Sequence, residues 1–158
     1  MERRITGFHQ DEHGDWVAEL DCCHGQHVRH KPPFFNRTWT QTEAGRAAML
    51  GTPLTCVRCD KLEFPAGLHE YKRTPTFTET TIPAGLLRDH TTKRGVWGLI
   101  EVEAGTLLYT VQYPEERSYT LMPGTPGIVV PEMKHRVQAL GTVSFHVAFY
   151  TRESNSSS

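Results

Sequence analysis

Cys22-Cys23-His24-Gly25-Gln26-His27-Val28-Arg29-His30 and, further along, Cys56-Val57-Arg58-Cys59 contain all four cysteines of this 158-residue chain. Beyond Cys59 there is no cysteine, and histidines are thinly spread. This asymmetry divides the chain into two modules. A metal clip holds the first. The second is stabilised, and functions, by other means.

The clip follows from ligand chemistry. Zinc takes four thiolate or imidazole ligands in a tetrahedron. The C-x-x-C turn offers Cys56 and Cys59. A second turn must supply the other pair, and Cys22 and His24 are spaced to form a similar knuckle. His27 replaces His24 if the loop winds differently. Cys23 is the poorer ligand, because adjacent residues seldom point at one metal. Four protein ligands close the site, so it is structural, whereas catalytic zinc keeps an open position. Two other readings remain. One is ordinary reduced cysteines beside a histidine-rich loop. The other is a redox C-x-x-C, which expects a βαβ context absent here.

Outward from the clip, residues 3–9 and 15–20 alternate around Asp11-Glu12-His13-Gly14, a β-hairpin pattern that leads to Cys22. Residues 31–39 carry two prolines, which exclude a regular helix, and three aromatics expected to pack over the hairpin. A short helix follows, with Thr40 as its cap, Glu43 three residues on, and Gly51 as its stop. It explains the separation between the two cysteine turns.

From residue 76 on, short apolar runs alternate with turn signals. The runs are 76–82, 86–90, 96–103, 106–113, 118–121, 127–130, 135–140 and 142–150, rich in Val, Ile, Tyr, Phe and Thr. Eight such segments predict an antiparallel sandwich or barrel. The expected domains are a Cys/His module at 1–62, a linker at 63–69, a β domain at 70–152 and a disordered polar tail at 153–158.

Composition narrows the function classes. The net charge of −1 gives no global bias towards nucleic acid or an acidic partner. Basic residues (Arg29, Lys31, Arg37) interleave with Phe34, Phe35 and Trp39, a pattern that can bind single-stranded nucleic acid, but there is no long basic face. No apolar run approaches membrane-spanning length, and the N-terminus lacks a signal-peptide stretch. A cytoplasmic location is expected.

Two resemblances add to this reading. Residues 6–60, through Cys22-Cys23-His24-Gly25-Gln26-His27-Val28-Arg29-His30, Pro32-Pro33 and the distal C-x-x-C, resemble a small bacterial Cys/His family of unknown function. Cys23 stands where that family tends to have glycine. Residues 70–152 resemble the cupin-like domain of tellurite-resistance protein B (TehB) and its stand-alone relatives. The phrases that carry this are Pro83-Ala84-Gly85-Leu86-Leu87-Arg88-Asp89-His90, Gly95-Val96-Trp97-Gly98, Val130-Pro131-Glu132-x-x-His135 and Phe145-His146-Val147-Ala148-Phe149-Tyr150. Ala148 departs from relatives that carry an acidic residue there. The fold implied is mainly β: a small zinc-ribbon-like α+β module followed by a cupin-type double-stranded β-helix, or jelly-roll, barrel.

In cupins, histidines at the barrel mouth hold a metal. The corresponding candidates are His90 and His135, with His146 as a third imidazole and Glu132 as a fourth ligand or an orienting group. The usual first motif is incomplete, with Thr92 and Trp97 near the second-histidine and carboxylate positions. Arg88 and Arg136 flank the proposed mouth and can attract an anion.

The resulting expectation is a stress- or tellurite-resistance-related protein with a structural zinc module. Its barrel would bind a small molecule or oxyanion, with a second divalent metal as an option. A metal-dependent cupin enzyme, such as a small oxygenase or isomerase, is one alternative, although no nucleophile–base pair is readable. A protein or nucleic-acid interaction module is another, with nucleic acid disfavoured by the neutral charge. Homodimerisation through the sheets is expected of cupins.

Overall fold

The computed structural model describes residues 1–152; the expected disordered tail lies outside the described residues. The chain divides into two compact units, Met1–Arg58 and Cys59 onward.

The first unit is a four-stranded sheet in the order β3-β2-β1-β4. β1 (Glu2–Gln10) and β2 (Trp16–Leu20) form the expected hairpin. Asp11 closes its turn: Oδ1 accepts from the backbone N–H groups of His13 and Asp15, both at 2.9 Å. A short acidic side chain mimics a backbone turn in this way. β3 (Gly25–His27) pairs with β2, and β4 (Pro53–Thr55) pairs with the start of β1. Ile5, Val17, Leu20 and Val28 form its buried aliphatic core.

The helix α1 (Glu43–Ala48) is present, but its cap is Thr42, whose hydroxyl accepts from Gly45 N at 3.0 Å. Thr40, the expected cap, lies buried in a 3-10 turn over Thr38–Gln41 and donates to the Arg37 carbonyl. That extra turn moves the helix start two residues on. The aromatic loop also behaves differently from expectation. Trp39 packs edge-on against Phe8 on the hairpin (5.7 Å between ring centroids), but Phe34 and Phe35 are exposed. A single helical turn, α2 (Val57–Asp60), carries the chain across the unit boundary.

The second unit is a curled antiparallel sheet with the path β5-β10-β7-β8; β6 adds to β10 and β9 to β7. Two long strands dominate it, β7 (Trp97–Val111) and β10 (His135–Thr151). Shorter ones are β5 (His69–Arg73), β6 (Phe77–Thr78), β8 (Arg117–Leu121) and β9 (Gly127–Val129).

Four expected segments thus become two strands. The turn signals Ala104-Gly105 and Leu140-Gly141 are bends within strands, and they face each other: the β7–β10 register slips between Ala139 and Val143, opposite Leu107 and Gly105. Gly105 has φ +79°, and a Cβ there would collide with the Thr142 carbonyl oxygen. An irregularity of this type increases local twist, which lets one long pair curl the sheet. The first half of β7 pairs with β9, and the second half pairs with β8.

Two more expectations change. Residues 86–90 are not a strand. A 3-10 turn at Ala84–Leu86 ends in an isolated bridge between His90 and His135. Residues 69–73, read ahead of the first run, form β5. Within the expected linker, Phe64 packs edge-on against Trp97 and Tyr150.

Candidate functional site

Cys22, His24, Cys56 and Cys59 are buried, and one donor atom from each falls within 4.8 Å of all the others. Among the described residues, no other group of three or more Cys, His, Asp or Glu is arranged to hold a metal. Topology brings the two turns together. β2 and β4 both run antiparallel to β1, with Leu20 opposite Ile5 and Thr55 opposite Glu2. Each strand therefore delivers its ligands to the same end of β1, across more than thirty residues of sequence.

The donor set fits a metal. Cys22 Sγ lies 3.8 Å from Cys56 Sγ, and His24 Nδ1 lies 3.5 Å and 3.4 Å from those sulfurs. A tetrahedron with bonds of about 2.3 Å to sulfur and about 2.05 Å to nitrogen has S–S edges of ~3.8 Å and S–N edges of ~3.5 Å. His27 is not part of this group. It turns outward, and its Nε2 meets Asp11 Oδ2 at 2.9 Å. That hydrogen bond holds the Asp11 carboxyl down to about 2. Cys23 sits between two of the ligands at φ +75°. This is the left-handed region that suits glycine, and it keeps the Cys23 side chain from following Cys22.

The second unit encloses a cavity of about 540 Å³. Its wall includes His90, His135, Lys72, Lys93 and a mainly apolar set drawn from β7, β9 and β10. Among the described lining residues there is no Asp or Glu.

His90 and His135 exchange both backbone hydrogen bonds at 3.0 Å, and their ring centroids are 4.0 Å apart. The Nδ1–H of His135 donates to the Met133 carbonyl at 2.9 Å, and that of His90 to the Arg88 carbonyl at 3.1 Å. A carbonyl only accepts, so Nδ1 carries the proton in each ring. Burial pushes His135 down to about 4; its hydrogen bond to Met133 opposes the shift, and His90 adds to it. His135 is thus neutral at ordinary pH, with the lone pair on Nε2.

The other two candidates lie elsewhere. His146 alternates with Phe145 and Val147, which line the cavity, so it faces the opposite side of β10. Its Nε2 meets Glu101 at 2.7 Å and its Nδ1 meets Glu103 at 3.4 Å. Glu132 stands at φ +63°, 3.8 Å from Arg94, outside the lining. Ala148 shares the His146 face, so an acid there would not enter the cavity. Arg136 is engaged by Asp89 and Glu116. Thr92 lines the cavity, and Trp97 is a fully buried packing residue.

Sequence reasoning missed Lys72 and Lys93. Lys72 pairs with Phe149 in the sheet and so shares its cavity face. Only the β5–β10 register reveals this.

Known proteins resemble the chain in two separate segments. Residues 6–63 match a family described as a protein of unknown function, DUF3565. Comparison with curated proteins finds no match. Among solved structures, TehB from Haemophilus influenzae aligns at 27% identity and a TM-score of 0.50, over 54% of this chain and 32% of TehB. The chain therefore spans only about a third of that protein. A protein from E. coli strain K12 aligns at 24% identity and a TM-score of 0.52, over 58% of this chain and 97% of its own length, a likeness of fold alone. Residues 72–147 match the TehB-like domain.

Proposed function

We propose that this is a ligand-binding protein of the tellurite-resistance-related group, with a cupin-type cavity that takes a small anion and a closed zinc site that is structural. The TehB-like match of the second unit supports the family reading. The observation that carries the ligand reading is the cavity wall: Lys72, Lys93, His90 and His135, with no carboxylate among the described lining residues. Lysines beside an apolar cavity whose lining holds no acid attract an anion to it. The zinc reading rests on the donor distances around Cys22, His24, Cys56 and Cys59.

Calorimetric titration of the purified chain with tellurite, selenite and small organic acids tests the anion reading. Saturable heat that weakens in a Lys72→Met/Lys93→Met variant is expected; no heat with any anion refutes it. Elemental analysis tests the metal reading, with one zinc per chain expected. Two metals per chain, one of them lost in His135→Ala, would instead favour a metal at the His90–His135 pair.

A further inference from the structure

The cavity reading can be carried further, to the class of anion. Resting on that reading, we propose that the ligand is an organic anion with an apolar body, one acidic group, and a separate hydroxyl or N–H donor.

Size is the first argument. At about 540 Å³ the cavity falls in the range of roughly 300–1,000 Å³ that houses organic ligands. A water molecule's share of liquid volume is about 30 Å³, so an inorganic oxyanion of four or five atoms leaves most of this space as water against apolar walls. Those walls include Phe77, Ile100, Phe145 and Phe149, which offer contact to carbon and nothing to an oxyanion.

Charge is the second. Lys72 and Lys93 line the cavity, and neither forms an ion pair among the described residues. Some cations of this unit meet acids, as Arg73 meets Glu70 and Arg136 meets Asp89 and Glu116. What sets Lys72 and Lys93 apart is their place in the cavity lining, where a ligand carboxylate would meet them.

Hydrogen-bond polarity is the third. His135 is 3% exposed, and its Nδ1–H is committed to Met133. Its Nε2 is therefore an acceptor with no partner among the described residues. An acceptor repels a carboxylate oxygen but takes an O–H or N–H, so the donor must be a group apart from the acid.

Calorimetry on the zinc-loaded full chain separates these elements with four probes: 4-hydroxyphenylacetate, phenylacetate, 4-hydroxyphenylacetamide and tellurite. The hydroxy acid should bind best. Loss of the hydroxyl should weaken binding about three- to tenfold, and loss of the charge about tenfold or more. Tellurite should give no saturable heat. In Lys72→Met/Lys93→Met, where both changes fall on exposed side chains, the preference for acid over amide should vanish. In His135→Phe the preference for the hydroxyl should vanish; His135→Gln, which keeps a polar side chain, serves as a second variant, with the melting curve checking each fold. Equal binding of acid and amide by the wild-type chain overturns the proposal. Tellurite binding without the organic acids overturns it too, while leaving the small-anion reading intact. Failure of all four probes overturns it as well, and the small-anion reading falls with it if selenite and the other small acids also give no heat.

Discussion

Replacement of Cys56 by serine removes one corner of the Cys/His tetrahedron, and the cost can be set against the rest of the first unit. Cys56 is 1% exposed, and its sulfur is placed against both Cys22 and His24. The large aliphatic side chains buried in this unit are Ile5, Val17, Leu20 and Val28. At about 1.5–3 kcal/mol each they contribute roughly 6–12 kcal/mol. A structural zinc contributes about 10–16 kcal/mol of folding free energy. A zinc held by this cluster would therefore match or exceed the aliphatic core, and on that reading the unit should not stay folded without it. Limited trypsin digestion reads this directly. In Cys56→Ser, cleavage should appear at Arg29, Arg37 and Arg46, while the β7–β10 pair stays protected. Trp16, which lies under the Arg46 guanidinium at 3.7 Å, should shift its emission to the red. A chelator should do the same to the wild-type chain. A zinc-free protein with unchanged digestion and emission would refute the reasoning.

Other expectations concern the second unit. His135 titrates near 4 in the folded chain against 6.5 when free, because burial disfavours its cation. The unfolded chain therefore binds more protons between these values, so stability is full above about pH 6.5 and declines as pH falls towards 4, by up to about 3 kcal/mol. His135→Gln should flatten that part of a denaturation-against-pH profile. Gly105→Ala forces a side chain into the left-handed region and onto the Thr142 backbone, and should cost about 2–4 kcal/mol in urea unfolding. His146→Ala leaves the half-exposed Glu101 and Glu103 without their shared partner and should cost about 1 kcal/mol or less, with anion affinity unchanged by calorimetry. Thr42→Ala should lower stability by about 1 kcal/mol through loss of the α1 cap, whereas a Thr40 cap would have predicted no effect at Thr42.

Legibility differed by residue. The hairpin ending at Cys22 could be read because alternation and the Asp11–Gly14 turn are local signals. The strand count could not. Ala104-Gly105 and Leu140-Gly141 look like hairpin turns until the β7–β10 register sets them opposite each other as bends. The Thr40 cap failed for a related reason: one 3-10 turn before α1 shifts its start, and propensity does not distinguish the two starts.

The members of the buried Cys/His cluster were legible in the sequence, apart from the choice between His24 and His27, which the fold makes by turning His27 towards Asp11. Metal chemistry admits few residue types, and the spacings 22–24 and 56–59 form knuckles locally. It also marked His90 and His135. Tertiary structure alone decided the composition of the cavity. In a strand, successive side chains leave on opposite faces, so the pairing of β10 with β5 and β7 sends Phe145, Val147 and Phe149 inward and His146 outward. The same pairing brings Lys72, more than sixty residues before His135, into the same wall. Strand parity and long-range register are properties of the assembled sheet, which is why the cavity-lining lysines were visible only there.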